Sequence, residues 1–446
     1  MSTDTSLSLD QVKPITYKVD GEITIAGAKI SDLIKKHGSP LYIMCEETVR
    51  KRVQAYENAF KNYYPNHLAV YATKAFNCKA LCKLMEQEGF GLDVVSDGEL
   101  YTALSVNFPA EKIILHGNNK SKKELEMAIE NEIGAIILDN FHELEMIANI
   151  SKEKKNKKVN LMIRVTPGIE CHTHEYIKTG HLDSKFGFNI EDLNDVIQAI
   201  LDLKNSNIEI KGLHAHIGSQ IFELQPHADT TEVLFKLYKE VKDKFGLEFS
   251  DMNIGGGLGI KYLNSDDPPS IDTWVKTIAD AAKKYAAQYS IKEPRILVEP
   301  GRSIVGPAGV TAYTVGNIKD IPEIRKYVSV DGGMADNARP IMYQAEYLAE
   351  IANKPNDKSS EKVTIAGRYC ESGDILIKDI TLPKMDSGDI LVIYSTGAYN
   401  YSMASNYNRT TKPPVVLVKN GVSEIIVDGE TLEDIIRKDR VPASWS

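Results

Sequence analysis

The sequence predicts an α/β protein that consists of a (β/α)8 barrel, the TIM-barrel fold, and a second, mostly antiparallel β domain. Short apolar runs with many β-branched residues alternate with helix-like segments over the first two thirds of the chain, as in a protein with a parallel sheet. There are eight such runs, the number that closes a barrel. After Gly306 the helical periodicity largely disappears, and strand-like pieces follow one another.

Each predicted barrel strand is a short run bounded by polar or turn-forming residues. The runs are Leu68–Ala75, Gly91–Ser96, Lys112–Gly117, Ala135–Asn140, Leu161–Pro167, Gly212–Gly218, Met252–Gly257 and Arg295–Gly301. Segments with a helical period lie between them, at Glu47–Tyr63, Ser121–Glu132, Asp229–Phe245 and Ile271–Tyr289. A doubly wound open sheet is the alternative that this alternation allows, and the number of strands favours the barrel.

The β domain is predicted from both ends of the chain. Its C-terminal strands are Ala308–Val315, Tyr327–Val330, Lys362–Ile365, Asp389–Ile393 and Pro414–Lys419. Near the N-terminus, Ile15–Ile30 and Leu41–Met44 also have strand character. The predicted domains are therefore residues 46–307 for the barrel, and residues 1–45 with 308–446 for a discontinuous, sandwich-like or barrel-like β domain. The charged segment Asn353–Glu361 is expected to be a mobile loop.

Composition indicates a folded protein without a nucleic-acid or membrane function. With 446 residues, 42% of them hydrophobic and 26% charged, the chain can form the cores of two large domains. Its formal charge of −9 and its scattered lysines provide no basic surface for nucleic acid. No window approaches the roughly 18 apolar residues of a membrane span, and Met1–Asp10 lacks the apolar stretch of a secretory signal. We therefore expect a cytoplasmic protein.

The cysteines and histidines provide little evidence for a metal site. The five cysteines are Cys45, Cys78, Cys82, Cys171 and Cys370. An odd number at irregular spacings is neither a disulfide framework nor a paired metal site. The segment Cys171-His172-Thr173-His174, with His181 nearby, is a metal-site alternative, but its spacing matches no tetrahedral site and no second ligand pair follows. We expect no metal.

Polar residues gather where the predicted barrel strands end. Because the active sites of such barrels lie at the C-terminal ends of the strands, these positions predict a site at one mouth of the barrel. They are Lys74 after the first strand, His214, His216 and Ser219 at the sixth, Gly255, Gly256 and Gly257 at the seventh, and Glu299, Gly301 and Arg302 at the eighth.

The last two strands predict a phosphate site. The three glycines Gly255–Gly257 let backbone N–H groups approach an anion, and this region of the barrel is the usual place for phosphate. Arg302 would add a charged donor. A flexible turn is the alternative for the glycines alone, but Glu-Pro-Gly-Arg on the adjacent strand (299–302) favours phosphate.

Lys74 near a phosphate site and a carboxylate suggests an aldehyde cofactor held as a Schiff base, although a lysine at a strand end can also be a solvated cap. Glu299 would then keep the nitrogen of a pyridine ring protonated. His216 could stack on the ring, or it could be an ordinary core histidine. His214 shares its strand face, so the spacing alone does not tell which of the two stacks.

The β domain adds candidate groups of its own. Cys370 and Glu371 lie together in a turn bounded by glycines, and a thiol, which is mostly protonated at neutral pH, is a candidate proton donor. Arg339 could clamp a carboxylate with two parallel hydrogen bonds, and Tyr399 adds a phenol near a turn. A loop cysteine can equally be inert, and an isolated arginine or tyrosine is more often structural.

Together these motifs resemble the fold-type III pyridoxal-phosphate (PLP) decarboxylases, and within them the diaminopimelate decarboxylase family. The resemblance extends from Tyr71 to Val418 and covers six motifs in the family's order. It implies a barrel with a β domain, PLP as cofactor, and a homodimer with active sites at the subunit interface. The implied reaction is decarboxylation of meso-2,6-diaminopimelate to L-lysine and CO2, the final step of lysine biosynthesis.

The resemblance also implies a role for each matching residue. Lys74 would bind the PLP aldehyde, His216 would stack on the ring, and Glu299 would pair with its nitrogen. Phosphate would be bound by Ser219 and Gly255–Gly257, with Gly301 and Arg302 nearby. Substrate would be bound by Arg302, Arg339, Tyr343, Glu371 and Tyr399, the last also touching the cofactor. Cys370 would be the catalytic proton donor and would reach the active site of the other subunit.

The sequence differs from the residues more common in the family's motifs at Phe76, at Asp97 and at Pro414-Val415-Val416. None of these differences removes a catalytic group. Related decarboxylases of ornithine, arginine, carboxynorspermidine or D-lysine remain alternatives. Arg339 and Glu371 argue against the ornithine enzymes, which need not bind a distal carboxylate. A racemase of the same fold would need a second base. An inactive regulatory homologue is a further alternative, against which Lys74 and Cys370 both argue.

Overall fold

The computed structural model describes residues 13–169 and 184–445, which form two compact units. The β unit contains the described residues up to Val49, then Lys261–Asp266, and the residues from Val305 onward. The barrel unit contains the described residues of Arg50–Ile260 and Asp267–Ile304. The sequence predicts boundaries at 45/46 and 307/308. In the structure the short segment Lys261–Asp266 also groups with the β unit.

The N-terminal region forms strands interrupted by turns. Its elements are β1 (Thr16–Val19), β2 (Glu22–Ile25), β3 (Ala28–Lys29), α1 (Ile30–His37), β4 (Leu41–Cys45) and α2 (Glu46–Tyr63). The single strand-like stretch of the sequence is thus a three-stranded antiparallel meander. Its turns contain Gly21 and Gly27 at φ values of +75° and +87°, which glycine adopts without steric cost.

The barrel unit repeats strand and helix along the chain. Its elements are β5 (His67–Ala72), α3 (Lys79–Gln87), β6 (Gly91–Val94), α4 (Asp97–Leu104), β7 (Ile113–Leu115), α5 (Lys122–Glu130), β8 (Ala135–Leu138), α6 (Phe141–Glu153), β9 (Val159–Thr166), β10 (Phe188–Asn189), α7 (Leu193–Asp202), β11 (Ile208–His214), α8 (Gln225–Phe245), β12 (Asp251–Asn253), α9 (Ile271–Tyr289), β13 (Arg295–Val298) and α10 (Arg302–Val305).

Eight parallel strands close this sheet into a barrel, as predicted. The order is β9-β11-β12-β13-β5-β6-β7-β8, and β8 pairs again with β9, while the two-residue β10 flanks β9. Apolar side chains such as Val70, Ile114, Ile137, Met162 and Leu297 form one cluster of the core. The closed topology confirms the barrel over the open sheet.

The barrel strands end earlier than the sequence predicted. Strand β5 ends at Ala72, β12 at Asn253 and β13 at Val298, three or four residues before the predicted ends. The residues beyond these points are the glycines and polar groups of the predicted site. Because they leave the hydrogen-bond ladder, they form loops at the barrel mouth, where functional residues of this fold lie.

The rest of the β unit is mostly antiparallel. Its further elements are β14 (Gly309–Ile321), β15 (Arg325–Val330), α11 (Arg339–Tyr343), β16 (Ala349–Ile351), β17 (Glu361–Ala366), β18 (Ile375–Leu382), β19 (Ile390–Ile393), β20 (Val415–Lys419), β21 (Val422–Val427) and α12 (Leu432–Ile436). The sheet order is β18-β17-β15-β14-β4-β20-β21, and β19 joins β14 to β16.

Strand β4 shows how the two ends of the chain share this sheet, because it lies between β14 and β20. The core of the unit combines residues from both ends, among them Ile25, Ile43, Val310, Val392 and Val416. Among the helices of the described residues, none has the length and apolar content to cross a bilayer.

Candidate active site

The candidate site lies at the C-terminal ends of four neighbouring barrel strands. Strands β11, β12, β13 and β5 are consecutive in the sheet. They are followed by His216 and Ser219, by Gly255–Gly257, by Glu299, Gly301 and Arg302, and by Lys74, respectively. Since the strands are parallel, the structure brings all the barrel residues predicted to bind the cofactor to one sector of the same barrel end.

Lys74 lies in a short 3-10 turn directly after β5. Its side chain is exposed, and its charge acts on Asp93, Glu99 and His216. The preceding residue, Thr73, is buried, and its hydroxyl lies 2.8 Å from the carbonyl oxygen of Asp93 and 2.8 Å from Oε2 of Glu99. The amine is therefore carried by an anchored backbone.

Glu299 is a buried carboxylate surrounded by nitrogen atoms. It is 6% exposed, Asn253 donates an amide N–H to its Oε1 over 2.6 Å, and His116 Nε2 lies 3.0 Å from the same oxygen. His214 Nε2 is 3.4 Å from the carboxylate. Burial raises the pKa of Glu299, but His116 and His214 outweigh it and hold the pKa well below its usual value. Glu299 is therefore charged at neutral pH.

Asp93, on β6, adds a second buried acid. It is 1% exposed, and Oδ1 lies 3.7 Å from His116 Nε2. Within the described part of the chain, neither carboxylate oxygen of Asp93 has a hydrogen-bond partner, nor does Nδ1 of His214. Burial raises the pKa of Asp93 and lowers the pKa of His214 to about 4. Buried polar atoms without partners indicate that a further polar group can be accommodated here.

His214 and His216, which the sequence left as alternatives for stacking, have different partners. The His214 ring packs edge-on against His116, with ring centroids 4.9 Å apart. His216 accepts the N–H of Gly256 at Nδ1 over 3.2 Å. Burial, followed by the charge of Lys74, lowers the pKa of His216 well below its usual value. His216 is therefore a neutral ring that contacts the glycines and is influenced by the charge of Lys74, and we propose it as the stacking residue.

The glycine triplet packs too closely for side chains. A Cβ atom on Gly256 would lie 2.3 Å from the carbonyl oxygen of Glu299, and Gly255 and Gly257 have φ values of +69° and +117°, which glycine alone adopts easily. The first two glycines donate their N–H groups to side chains. Gly255 donates to Asn253 Oδ1 over 2.9 Å, and Gly256 donates to His216 Nδ1. The triplet is thus a close-packed backbone cradle.

Ser219 and Arg302 form a polar pair next to this cradle. The Ser219 hydroxyl lies 3.0 Å from Nη2 and 3.3 Å from Nε of Arg302, and the arginine is 7% exposed. Gly301 precedes it, and a Cβ there would lie 3.0 Å from the carbonyl oxygen of Ala72, at the end of β5. A buried guanidinium beside a hydroxyl is a suitable donor set for an anion such as phosphate.

These groups match the chemical requirements of PLP. Lys74 supplies an amine for the aldehyde, and the charged Glu299 supplies an acceptor for a protonated ring nitrogen. Ser219 and Arg302 supply donors for the phosphate. The glycine cradle, whose Gly255 and Gly256 N–H groups are already donated within the protein, supplies space for it. The buried oxygens of Asp93 lack hydrogen-bond partners among the described residues, so they could accept a further polar contact. The residues present therefore fit the cofactor.

In the β unit, Arg339 lies in an aromatic setting. It is 7% exposed and donates from Nη1 to the hydroxyls of Tyr347 at 2.7 Å and Tyr262 at 2.9 Å. Its guanidinium carbon is also 5.0 Å from the Tyr262 ring centroid. Tyr343 follows at the other end of the same short helix, α11, and is half-buried. The guanidinium is thus oriented by two phenols that the sequence analysis did not single out.

The remaining candidates of the β unit lie in turns. Cys370 and Glu371 are exposed, and the Cys370 N–H is donated to Asn408 Oδ1 over 3.2 Å. The turn is tied down by Asp374, which accepts the N–H of Tyr369 over 2.9 Å. Tyr399 has a φ value of +62°, a costly conformation for an aromatic residue that is often found at functional sites.

Sequence reasoning missed several residues of the barrel site. His116 directly follows β7, so the strand-end rule that selected Lys74 could have found it. Asp93 and Asn253 lie within strands and gave no sequence signal. The metal-site alternative at Cys171, His172, His174 and His181 lies outside the described residues.

A family model for the pyridoxal-binding domain of pyridoxal-dependent decarboxylases matches residues 46–306. The chain is 50% identical over 415 residues to the diaminopimelate decarboxylase of Bacillus methanolicus, covering 92% of this chain and 96% of the relative. It is 49% identical over 440 residues to that of Synechocystis sp., covering 96% of this chain and 93% of the relative.

Solved structures give the same result. A crystal structure of diaminopimelate decarboxylase from M. jannaschii superimposes with a TM-score of 0.90 at 36% identity, covering 96% of this chain and 98% of that chain. A second crystal structure of that enzyme, in complex with L-lysine, superimposes with a TM-score of 0.89 at 36% identity, covering 97% and 99%.

Proposed function

Because this chain belongs to the diaminopimelate decarboxylase family of pyridoxal-dependent decarboxylases, we propose that the barrel site removes the carboxylate at the D-centre of meso-2,6-diaminopimelate. The enzyme is a PLP-dependent carboxy-lyase, and its products are L-lysine and CO2, so that the reaction completes lysine biosynthesis. The complex of the M. jannaschii relative with L-lysine supports a site shaped for this product.

One observation supports the assignment most strongly. Lys74, the charged Glu299 and the glycine cradle follow three adjacent strands of one barrel, β5, β13 and β12. An amine, an acid and an anion cradle at such positions are the three groups that PLP requires. When bound, PLP supplies an electron sink that accepts the bonding electrons released as CO2 departs.

Three residues of the barrel would prepare this chemistry. Glu299 would accept a hydrogen bond from the protonated ring nitrogen. Because the pKa of Glu299 is held well below its usual value, the proton would stay on the ring. Lys74 would hold the aldehyde of the cofactor through its side-chain amine. His216, neutral and fixed by the Gly256 N–H, would cover one face of the ring and exclude water from it.

The β-unit residues are proposed to select the substrate and finish the reaction. Arg339 would bind the carboxylate of the retained L-centre, and Glu371 its ammonium, with Tyr343 and Tyr399 lining the site and Arg302 near both phosphate and substrate. After the bond to CO2 breaks, the thiol of Cys370 would donate the proton that replaces it on Cα. The proposal includes a homodimer in which Cys370 serves the site of the other subunit.

A substrate panel tests the reaction itself. Purified holoenzyme is incubated separately with meso-diaminopimelate, ornithine, arginine, carboxynorspermidine and D-lysine, and CO2 and the chirality of the product are measured. We expect CO2 and L-lysine from meso-diaminopimelate at a rate at least about tenfold above any other compound. Preference for another compound would assign a different substrate. Formation of LL- or DD-diaminopimelate without CO2 would indicate a racemase.

Variants test the residue roles. Lys74→Ala should lose turnover and the absorbance of bound cofactor, whereas Lys79→Ala, which removes an exposed lysine at the start of the next helix, should keep both. Cys370→Ala should lower kcat by about 10²–10⁴-fold, as expected for loss of a proton donor. Full activity of Lys74→Ala would contradict the mechanism, and unchanged kcat in Cys370→Ala would exclude the thiol.

Mixed dimers test the sharing of sites. Equal amounts of the inactive Lys74→Ala and Cys370→Ala chains are unfolded, mixed and refolded with PLP, with each variant refolded alone as a control. If each site combines Lys74 of one chain with Cys370 of the other, half of the dimers contain one intact site, and activity should return to about one quarter of wild type. Activity no greater than that of the separate variants would contradict a shared site.

A further inference from the structure

Asn253, the last residue of β12, connects two parts of the cofactor site. Its side chain is fully buried. The amide nitrogen donates to Oε1 of Glu299 over 2.6 Å, and the amide oxygen accepts the N–H of Gly255 over 2.9 Å. One side chain thus contacts both the acid that faces the ring nitrogen and the first residue of the glycine cradle.

A third hydrogen bond closes this arrangement into a ring. The backbone N–H of Glu299 is donated to the carbonyl oxygen of Gly255 over 2.9 Å. Asn253, Gly255 and Glu299 are therefore joined pairwise, and the carbonyl oxygen of Asn253 also accepts the N–H of Ala215 over 2.9 Å. The ring ties the ends of strands β12 and β13 together, and the Ala215 contact adds the end of β11.

The chemistry of the site selects an amide at this position. A neutral amide can donate from nitrogen and accept at oxygen at once, which the carboxylate of Glu299 and the N–H of Gly255 require. An aspartate of the same shape could still accept from Gly255, but it would place a second negative charge against Glu299. An aliphatic residue would leave a buried N–H without an acceptor.

Asn253 differs from the other neighbours of Glu299 in this respect. His116 and His214 also approach the carboxylate, at 3.0 and 3.4 Å, but no hydrogen bond of either ring reaches the glycine cradle among the described residues. An amide moreover does not titrate, so Asn253 can donate to Glu299 whatever the protonation state of the neighbouring histidines.

We propose that Asn253 is a positioning residue that fixes the Glu299 carboxylate relative to the glycine cradle, so that the ring nitrogen and the phosphate of PLP are bound in one fixed relation. The inference rests on the proposed function only in taking PLP as the ligand. It concerns the cofactor-loaded resting enzyme, whose properties are measured without turnover.

The first test is cofactor binding. Asn253→Asp and Asn253→Ala are compared with Asn160→Asp, an asparagine at the opposite end of the barrel whose amide donates to Gly134. PLP is titrated into each apoenzyme. We expect the dissociation constant to rise by about tenfold or more in both Asn253 variants, as for other residues that orient a ligand-binding group. In Asn160→Asp it should change less than about twofold.

Spectroscopy separates positioning from mere destabilisation. The ³¹P resonance of the bound phosphate and the pH dependence of the cofactor absorbance report the two ends of PLP, and both should change in Asn253→Asp. The melting temperature of each apoenzyme is measured in parallel. A folded Asn253→Asp enzyme with wild-type PLP affinity, ³¹P resonance and absorbance titration would overturn the proposal. A variant whose melting temperature falls while these three properties stay at wild-type values would overturn it as well. If Asn253→Asp does not fold, Asn253→Ala carries the same comparison.

A double variant tests whether Asn253 acts through Glu299. In Glu299→Gln the like-charge contact is absent, so adding Asn253→Asp should weaken PLP binding by a smaller factor than it does in the wild-type background. Equal factors in both backgrounds would contradict a role through Glu299. These outcomes are independent of the substrate panel, because an enzyme acting on another amino acid would still bind PLP through the same ring of hydrogen bonds.

Discussion

His116 Nε2 lies 3.0 Å from Oε1 of Glu299, although two strands separate their positions in the sheet. His116 follows β7 and Glu299 follows β13, so the two side chains meet across the interior of the barrel end. The contact helps to hold the pKa of Glu299 well below its usual value against the effect of burial. A charged acid is thereby kept in a buried position.

Replacing this acid by its amide tests the importance of the charge. We expect Glu299→Gln to lower kcat by about 10²-fold or more, because an amide cannot keep the ring nitrogen protonated. The cofactor should remain bound through Lys74, and its absorbance should titrate at a different pH. Steady-state kinetics and absorbance titration check this, with Glu145→Gln, an exposed position on α6, as control. Wild-type kcat in Glu299→Gln would remove the acid from the mechanism.

The glycine cradle should not tolerate a methyl group at its centre. In Gly256→Ala the Cβ would lie 2.3 Å from the Glu299 carbonyl oxygen, and relief of this clash must move backbone at a cost of about 1–3 kcal/mol. We expect a lower unfolding midpoint and weaker PLP binding. Gly98→Ala is the matched control, since its nearest atom would be 3.7 Å away on a helix, where alanine stabilises by about 0.5–1 kcal/mol. Equal stability of the two variants would contradict the packing.

Asp336 should give the β unit a pH-dependent stability. Burial raises the pKa of this carboxyl to about 7, despite hydrogen bonds from Tyr313 and the N–H of Gly333. Because the pKa of Asp336 is higher in the folded than in the unfolded protein, the folded state binds the proton more tightly. The resulting stabilisation is complete below about pH 4 and is lost as the pH rises to about 7.

We therefore expect the stability of wild type relative to Asp336→Asn to fall between pH 4 and pH 7, by at most about 4 kcal/mol. Urea unfolding of both proteins at several pH values measures this difference. The exposed Asp320→Asn should show no such trend. A wild-type advantage that grows with pH over this range would have the wrong sign.

The Cys370 turn depends on a buried aspartate. Asp374 accepts the N–H of Met334 over 2.7 Å and that of Tyr369 over 2.9 Å. The carboxylate also packs closely on Gly367, where an added Cβ atom would lie only 2.0 Å from Asp374 Oδ2. In Asp374→Ala two N–H groups lose their acceptor, which should cost about 2–4 kcal/mol and lower kcat if the turn positions the thiol.

Denaturant unfolding and steady-state kinetics check the Asp374 prediction. Asp357→Ala, an exposed aspartate of the β unit, is the control and should match wild type in both. An Asp374→Ala enzyme as stable as that control would show that other groups hold the turn.

Particular residues show where sequence reasoning succeeded and where it ended. The apolar spacing of Ile271–Tyr289 predicts helix α9 at the bounds that the structure has, where Ser270 caps it. Strand β18 was missed, because its second half contains Lys378 and Asp379 and lacks a continuous apolar run. At the barrel mouth the strands were predicted too long, since β-branched and glycine residues continue past the last ladder hydrogen bond.

The sequence by itself determined the barrel, the family, the cofactor and the residue types at the strand ends, because hydrophobic period and local motifs are properties of neighbouring residues. Only the tertiary structure decided that His214 approaches Glu299 while His216 meets Gly256, that two phenols orient Arg339, and that Asn253 joins the acid to the cradle. Such contacts link residues up to 85 positions apart, as between His214 and Glu299. Which side chains meet over such separations depends on strand register and on side-chain packing at the barrel end, which no local pattern encodes.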